Sequence, residues 1–211
     1  MAAFFGALSR LLGYLLRRRR GLKIGIYGPP NGGKTTLANR ICTDWLGEGA
    51  ILGKVTAIPH ETREIALKND IVAEHEGKKL RFTLVDTPGI ATKIDYEDFV
   101  AAGLPAREAK KRAKEATKGV IDSIKWLDNV DVVIVVLDAT KDPYSQVNIT
   151  LVGNLAAREL PVVIAANKID LKRSRPKRIA AAFPQYPIVP ISAKHGTGID
   201  NFYKQLFKVA R

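Results

Sequence analysis

The stretch Gly28-Pro29-Pro30-Asn31-Gly32-Gly33-Lys34-Thr35 has the spacing G-x-x-x-x-G-K-T. It lies between an apolar run, Leu22 to Tyr27, and a helix-favouring run that opens Thr36-Leu37-Ala38-Asn39-Arg40-Ile41. Strand, glycine-rich loop and helix in that order make a phosphate cradle. The glycines let backbone N–H groups turn inward, and the helix N-terminus adds its positive dipole. Lys34 would then reach the β and γ phosphates of a nucleotide, and the Thr35 hydroxyl would hold Mg2+. A plain turn before a helix leaves Lys34 unexplained, because a cation at a helix start opposes the dipole. The loop from Gly28 through Thr36 therefore marks a polyphosphate site.

Three further stretches follow it in the chain, each ending an apolar run. Asn167-Lys168-Ile169-Asp170 follows Pro161 to Ala166, so it lies just beyond the carboxyl end of an expected strand, where open α/β sheets bind ligands. A carboxylate at Asp170 can accept from the guanine N1–H and exocyclic amine, whereas adenine presents an acceptor at the matching position. The base is thus guanine. Asp86-Thr87-Pro88-Gly89 ends the run Leu80 to Val85. Its Asp can hold Mg2+ through water, and the Gly89 amide is free to approach a γ-phosphate. Ser192-Ala193-Lys194, after Ile188 to Ile191, would offer guanine O6 a backbone N–H from Ala193. Any one fragment reads as a strand-ending turn; four in this order do not.

The periodicities map the rest. Strands are expected at Leu22 to Tyr27, Glu64 to His75, Lys79 to Val85, Asp131 to Leu137, Val162 to Ala166 and Ile188 to Ile191. Glu76-Gly77-Lys78 joins the second and third as a hairpin. Helices alternate between the others, with an extended helical segment after switch II, about residues 90–130 and helical from Pro105 to Leu127, and a last helix from Asn201 to Val209. This predicts a mostly parallel six-stranded sheet with one antiparallel edge strand and helices on both faces. At 211 residues and 46% hydrophobic content the chain buries one substantial core, and the motifs use nearly all of it.

The motif set G28PPNGGKT, D86TPG, N167KID and S192AK resembles that of the translation-factor-related small GTPases, in particular the Era and TrmE branch. The resemblance covers about Gly21 to Arg211 and implies a P-loop GTPase fold, slow GTP hydrolysis and a Mg2+ cofactor. In that branch switch I ends in T-R-[DE], which looks like Thr62-Arg63-Glu64 here. The resemblance therefore gives Thr62 the switch I role toward Mg2+ and the γ-phosphate, with Thr56 as the alternative. His60 reads as a loop residue. Relatives in this branch continue into a KH domain or flanking domains, so the expectation here is a stand-alone G domain over residues 21–211.

Two departures bear on mechanism. Ras-like proteins place a water-orienting glutamine after the D-x-x-G turn, but Ile90 stands there and cannot hydrogen-bond. Some relatives with Asn at the Asn31 position bind K+ beside the β and γ phosphates, which would stabilise charge as an arginine finger does. The other reading of Asn31 is a hydrogen bond within the loop. Asp95, Glu97 and Asp98 follow Gly89 at a distance that fits an assisting carboxylate in switch II, Asp98 lying nearest the TrmE-like offset. They also fit the acidic start of a helix.

The net charge of +13 is concentrated. Residues 1–20 carry +5, Arg107 to Lys118 carries +4, and Lys172 to Arg178 carries five bases and no acid, which leaves the remainder near neutral. Localised positive charge predicts an anionic partner; the 107–118 run reads first as a solvated face. In residues 1–20, Phe4, Phe5, Leu8, Leu11, Leu12, Leu15 and Leu16 fall within an arc of roughly 140° at about 100° per residue, and Arg17 to Arg20 follow. This is an amphipathic helix too short and interrupted to span a bilayer. Its arginines follow the apolar part, unlike those of a signal peptide. It suits a membrane interface first, packing on the domain or a partner second, and RNA or a ribosome third. The single cysteine, Cys42, precludes an intrachain disulfide and fits a reducing cytoplasm. The expected location is the cytoplasm, with peripheral docking on the inner face of the membrane. GTP and GDP are the expected ligands, with nucleotide-dependent dimerisation as a further expectation.

Overall fold

The computed structural model describes residues 21–53, 64–91, 94 and 96–211. The amphipathic segment 1–20, Thr56, His60, Thr62 and Asp95 lie outside the described residues. The strands are β1 (Leu22–Tyr27), β2 (Ala66–His75), β3 (Lys78–Asp86), β4 (Val132–Asp138), β5 (Val162–Asn167) and β6 (Ile188–Pro190). The helices are α1 (Lys34–Leu46), α2 (Tyr96–Ala101), α3 (Ala106–Trp126), α4 (Gln146–Ala157), α5 (Pro176–Ala182) and α6 (Ile199–Val209), with a short 3-10 turn at Leu127–Asn129.

One sheet holds all six strands in the order β2-β3-β1-β4-β5-β6. Every pairing is parallel except β2 with β3, so the antiparallel strand is at the edge, as expected. The parallel strands aim their carboxyl ends at one side, and the motifs collect there.

Strand alternation decides which helices cover which face. Val132, Ile134 and Val136 of β4, with Val163 and Ala165 of β5, join Ile24 and Ile26 in one core with Leu37, Ala38 and Ile41 of α1 and Phe202 and Leu206 of α6. Val133, Val135 and Leu137, with Val162, Ile164 and Ala166, point the other way and pack on Leu151 and Leu155 of α4 and Ile179 of α5. A sheet covered on both faces needs near-continuous apolar strands, which is how β4 and β5 read. Phe99 of α2 and Ala109 and Ala116 of α3 form a third, smaller cluster.

Several boundaries differ from the sequence reading: β2 starts at Ala66, β3 spans Lys78–Asp86, β4 spans Val132–Asp138, β5 ends at Asn167, β6 ends at Pro190 and the last helix starts at Ile199. Lys78 pairs with His75, so the hairpin turn is only Glu76-Gly77, both at positive φ (48° and 71°). That is a two-residue turn whose twist matches the strands. The helical segment after Gly89 is two helices, because α2 ends at Ala101 and Gly103 takes φ 95° before Pro105. Pro105 precedes the first residue of α3 and does not lie inside it.

Candidate nucleotide-binding site

The loop after β1 enters α1 through Gly33 at φ 97°. A side chain there would collide with the Asn167 amide nitrogen as well as strain the backbone. Lys34, the first residue of α1, is 5% exposed, and its Nζ donates to the Pro29 carbonyl at 2.9 Å. Burial pulls its pKa down to about 8, against the attraction of Asp86. A lysine held this way gains on meeting polyphosphate charge. Asn31 is exposed at φ 57° and makes no side-chain hydrogen bond among the described residues.

Asp86 ends β3 and is fully buried. Its Oδ2 accepts from the Thr35 hydroxyl at 2.8 Å, joining two expected Mg2+ ligands from separate motifs. The other oxygen, Oδ1, is buried and accepts no hydrogen bond among the described residues. Burial pushes this carboxyl up, while the Lys34 charge and the Thr35 hydroxyl oppose that. A carboxylate oxygen short of partners beside a hydroxyl is an all-oxygen donor set, which fits Mg2+.

The turn Asp86-Thr87-Pro88-Gly89 is drawn against the phosphate loop. The Ile90 amide donates to the Gly28 carbonyl at 3.0 Å, and a Cβ on Gly89 would lie 2.8 Å from Pro30 Cα, so only glycine allows the approach. The Thr87 hydroxyl donates to the Ile26 carbonyl at 2.7 Å. Ile90 itself is 4% exposed and packs with Tyr27, Val85 and Val133. Its side chain belongs to the core. Asp98 is exposed in the first turn of α2 beside Glu97, where the helix dipole accommodates both.

Asn167 ends β5 and is 3% exposed. Its Nδ2 donates to the Gly32 carbonyl at 2.9 Å, and its Oδ1 accepts from the Ala193 amide at 3.0 Å. It staples the phosphate loop to the Ser192-Ala193-Lys194 turn. The Ala193 amide, expected to face the base, is therefore held by a neighbouring strand end. Lys168, at φ 67°, places its Nζ 2.7 Å from Asp138 Oδ2. Burial pushes the Asp138 carboxyl up, but the Lys168 and Thr140 hydrogen bonds together hold it below its ordinary value. Asp170 stands exposed at the rim. A hydrogen bond from Ser192 is the main cause that keeps its carboxyl low, and His195 Nε2 lies 3.8 Å away.

Two participants were not singled out in the sequence. Asp138 closes the apolar run of β4 and orients Lys168; its position at a strand end was the available signal. Arg40 of α1 donates to the Ala193 and Lys194 carbonyls at 3.4 and 3.2 Å, and no motif spacing announces it. Replacing Asn167 by Ala strips partners from the buried Gly32 carbonyl and Ala193 amide. Asn167→Ala should lower unfolding free energy by about 2–4 kcal/mol, read as a shifted urea midpoint at unchanged slope.

The glycine-rich loop, the Thr35–Asp86 bond and the Asn167 staple gather at the carboxyl edge of one six-stranded sheet, and this architecture defines the class: a P-loop GTPase domain. The sequence pattern of a family described as "50S ribosome-binding GTPase" matches residues 23–168, and the chain belongs to that family. It is similar to GTPase Der of a Marinomonas species, 29% identical over 194 residues that cover 87% of this chain and 37% of Der. It is also similar to GTPase Era of Geobacter metallireducens, 31% identical over 190 residues covering 88% of this chain and 54% of Era. The chain thus spans about half or less of the curated relatives it matches. A crystal structure of Era in complex with MgGDPNP and nucleotides 1506–1542 of 16S ribosomal RNA superposes with a TM-score of 0.66, at 24% identity, over 90% of this chain and 56% of that one. That likeness establishes the fold. Family membership makes the chain a GTP-binding GTPase domain. No described helix is long and apolar enough to cross a membrane.

Proposed function

We propose that this chain works as a Mg2+-dependent GTP switch whose nucleotide state is read by a ribosomal partner. The observation that carries the reading is the 2.8 Å bond between Thr35 and Asp86, which brings the loop that holds phosphates to the turn that senses them. Lys34 and the loop amides bind the β and γ phosphates, with Gly28 through Thr36 wrapping them. Asn167, Lys168 and Asp170, with Ser192, Ala193 and Lys194, enclose and select guanine. Mg2+ held by Thr35, Asp86 and Thr62 would neutralise charge on the β and γ oxygens. Loss of the γ-phosphate releases Thr62 and the segment after Gly89, which is the order-to-disorder step of a switch. The partner assignment follows the family description and the ribosomal RNA bound by Era. The cytoplasm is the matching location. Peripheral docking of residues 1–20 on anionic lipid stands on the sequence alone, and vesicle flotation checks it.

The reading is tested by binding of GTP, GDP and ATP with and without Mg2+, followed by phosphate release under single turnover. Tight guanine-nucleotide binding with slow hydrolysis is expected; ATP binding at equal affinity would overturn it. Because Ile90 is core, the attacking water is oriented by another group. We assign charge stabilisation to K+ at Asn31, with the Asp98 carboxylate as the assisting alternative. Hydrolysis should run roughly tenfold or more faster in KCl than in NaCl, and the difference should vanish in Asn31→Ala. Equal rates in both salts would refute K+, and a loss confined to Asp98→Asn would shift the role there.

A further inference from the structure

Helix α3, Ala106–Trp126, buries Ala109, Ala116, Gly119 and Ser123. At about 100° per residue those four fall on one side, and Arg107, Lys110, Lys111, Lys114, Lys118 and Lys125 fall within an arc of roughly 100° on the other. All six are exposed. Only Ile121 interrupts the arc, and no acid lies within it. The run reads in sequence as a cluster ending at Lys118, but in the fold it is a cationic ridge about 27 Å long, at roughly 1.5 Å rise per residue.

Little within the domain neutralises it. Lys111 faces Glu115 at 4.0 Å, and Lys110 lies over the Tyr96 ring at 5.4 Å. Arg107, Lys114, Lys118 and Lys125 have no carboxylate partner among the described residues. At the far end Lys118 and Lys125 share the rim of a cleft of about 420 Å³ with Glu64 and Asp122, so the uncompensated charge is densest over the first three turns. The ridge is also joined to the nucleotide site. Buried Ser123, on the opposite side of α3, donates its one hydroxyl hydrogen to the Gly119 carbonyl at 2.7 Å, and its Oγ lies 3.4 Å from the Pro88 carbonyl of the turn that follows β3.

We infer that this face of α3 is the surface that docks ribosomal RNA through its phosphate backbone, an inference that rests on the ribosomal partner proposed above. The chemistry selects that occupant. A membrane-surface helix needs an apolar face beside its cations, and the apolar face of α3 is spent on the protein core. Base reading needs aromatic side chains or forked donors at base edges, and the ridge is five lysines with one arginine. Point cations on an exposed helix suit phosphates, without sequence preference and with strong salt dependence.

The test measures binding of the full chain to a short mixed-sequence RNA duplex and to ribosomal subunits as salt rises from roughly 50 to 200 mM. The ridge variant combines Lys111→Gln, Lys114→Gln and Lys118→Gln. A charge-matched control combines Lys172→Gln, Arg173→Gln and Lys177→Gln. Circular dichroism and RNA-free GTP hydrolysis confirm that each folds. The ridge variant should bind at least tenfold more weakly, with a log–log salt slope flatter by about 2–3, and the control should change far less. If both variants lose affinity equally, or the ridge variant binds RNA as tightly as the original, the ridge is overturned while the ribosomal reading stands. Failure of the unaltered protein to bind either RNA or subunits overturns both.

Discussion

Asp170→Asn is expected to weaken GTP and GDP binding by about 10²–10³-fold and to create affinity for xanthosine triphosphate. Asp170 stands exposed at the rim of the base site with Ser192 as its donor, whereas Asp138 is held by Lys168 and Thr140, and Asp86 by Thr35. The Ser192 hydrogen bond keeps its acid form disfavoured, so at neutral pH it presents only acceptors. Guanine offers two donors, and each charge-assisted bond is worth about 1.5–3 kcal/mol. The amide of Asn keeps one acceptor and aims one donor at the exocyclic amine of guanine, which is also a donor. Xanthine has a carbonyl at that position, so the same amide pairs with it. Competition binding with GTP, XTP and ATP reads this directly. Unchanged GTP affinity would remove Asp170 from the base site, and a loss without any gain for XTP would assign it to support of the Ser192 turn.

The strands and motifs were legible because the central runs β4 and β5 are buried almost throughout and each motif closes a strand in a distinctive turn. β1 begins and ends where the periodicity placed it, and β4 and β5 each extend one polar residue further than read, to Asp138 and Asn167. Those two extra residues matter to the site, since strand pairing carries them to the rim. What was not legible depends on neighbours distant in sequence. The Ala193 amide is claimed by Asn167 across parallel strands β5 and β6, and Arg40 reaches the same turn from α1. The irregularity in β2 between Lys68 and Ile71, with Asp70 at φ 57°, follows from register with β3. The basic run was visible and Lys125 lay within the expected helix, but its partition into one face needed the buried side of α3, which the fold supplies. The extended segment after Gly89 divides into two helices at Gly103, whose positive φ breaks the chain direction.

Lys34→Met is expected to lower kcat/KM for GTP by at least about 10³-fold, roughly 4 kcal/mol, because it removes the cation that meets the β and γ phosphates. The same residue carries a cost in the free protein. Burial holds its pKa at about 8 against 10.5 for an ordinary lysine, so keeping it charged below pH 8 disfavours folding by about 3 kcal/mol. Between pH 8 and 10.5 the unfolded chain binds the proton that the folded chain has released. Stability from this group therefore rises with pH across that window and is flat below it. The Met variant lacks the titration, although its Asp86 loses the neighbouring charge that opposes burial. Urea unfolding of both proteins in EDTA without nucleotide, at steps from pH 7 to 10, isolates the Lys34 contribution as a difference. The original protein should gain on the variant as pH rises above 8, and bound GDP should flatten that gain, because phosphate charge raises the lysine pKa again. Parallel stability curves would show that Lys34 is solvated in the free protein and pays no burial cost. A variant that still hydrolysed GTP at the original rate would remove Lys34 from the phosphate site.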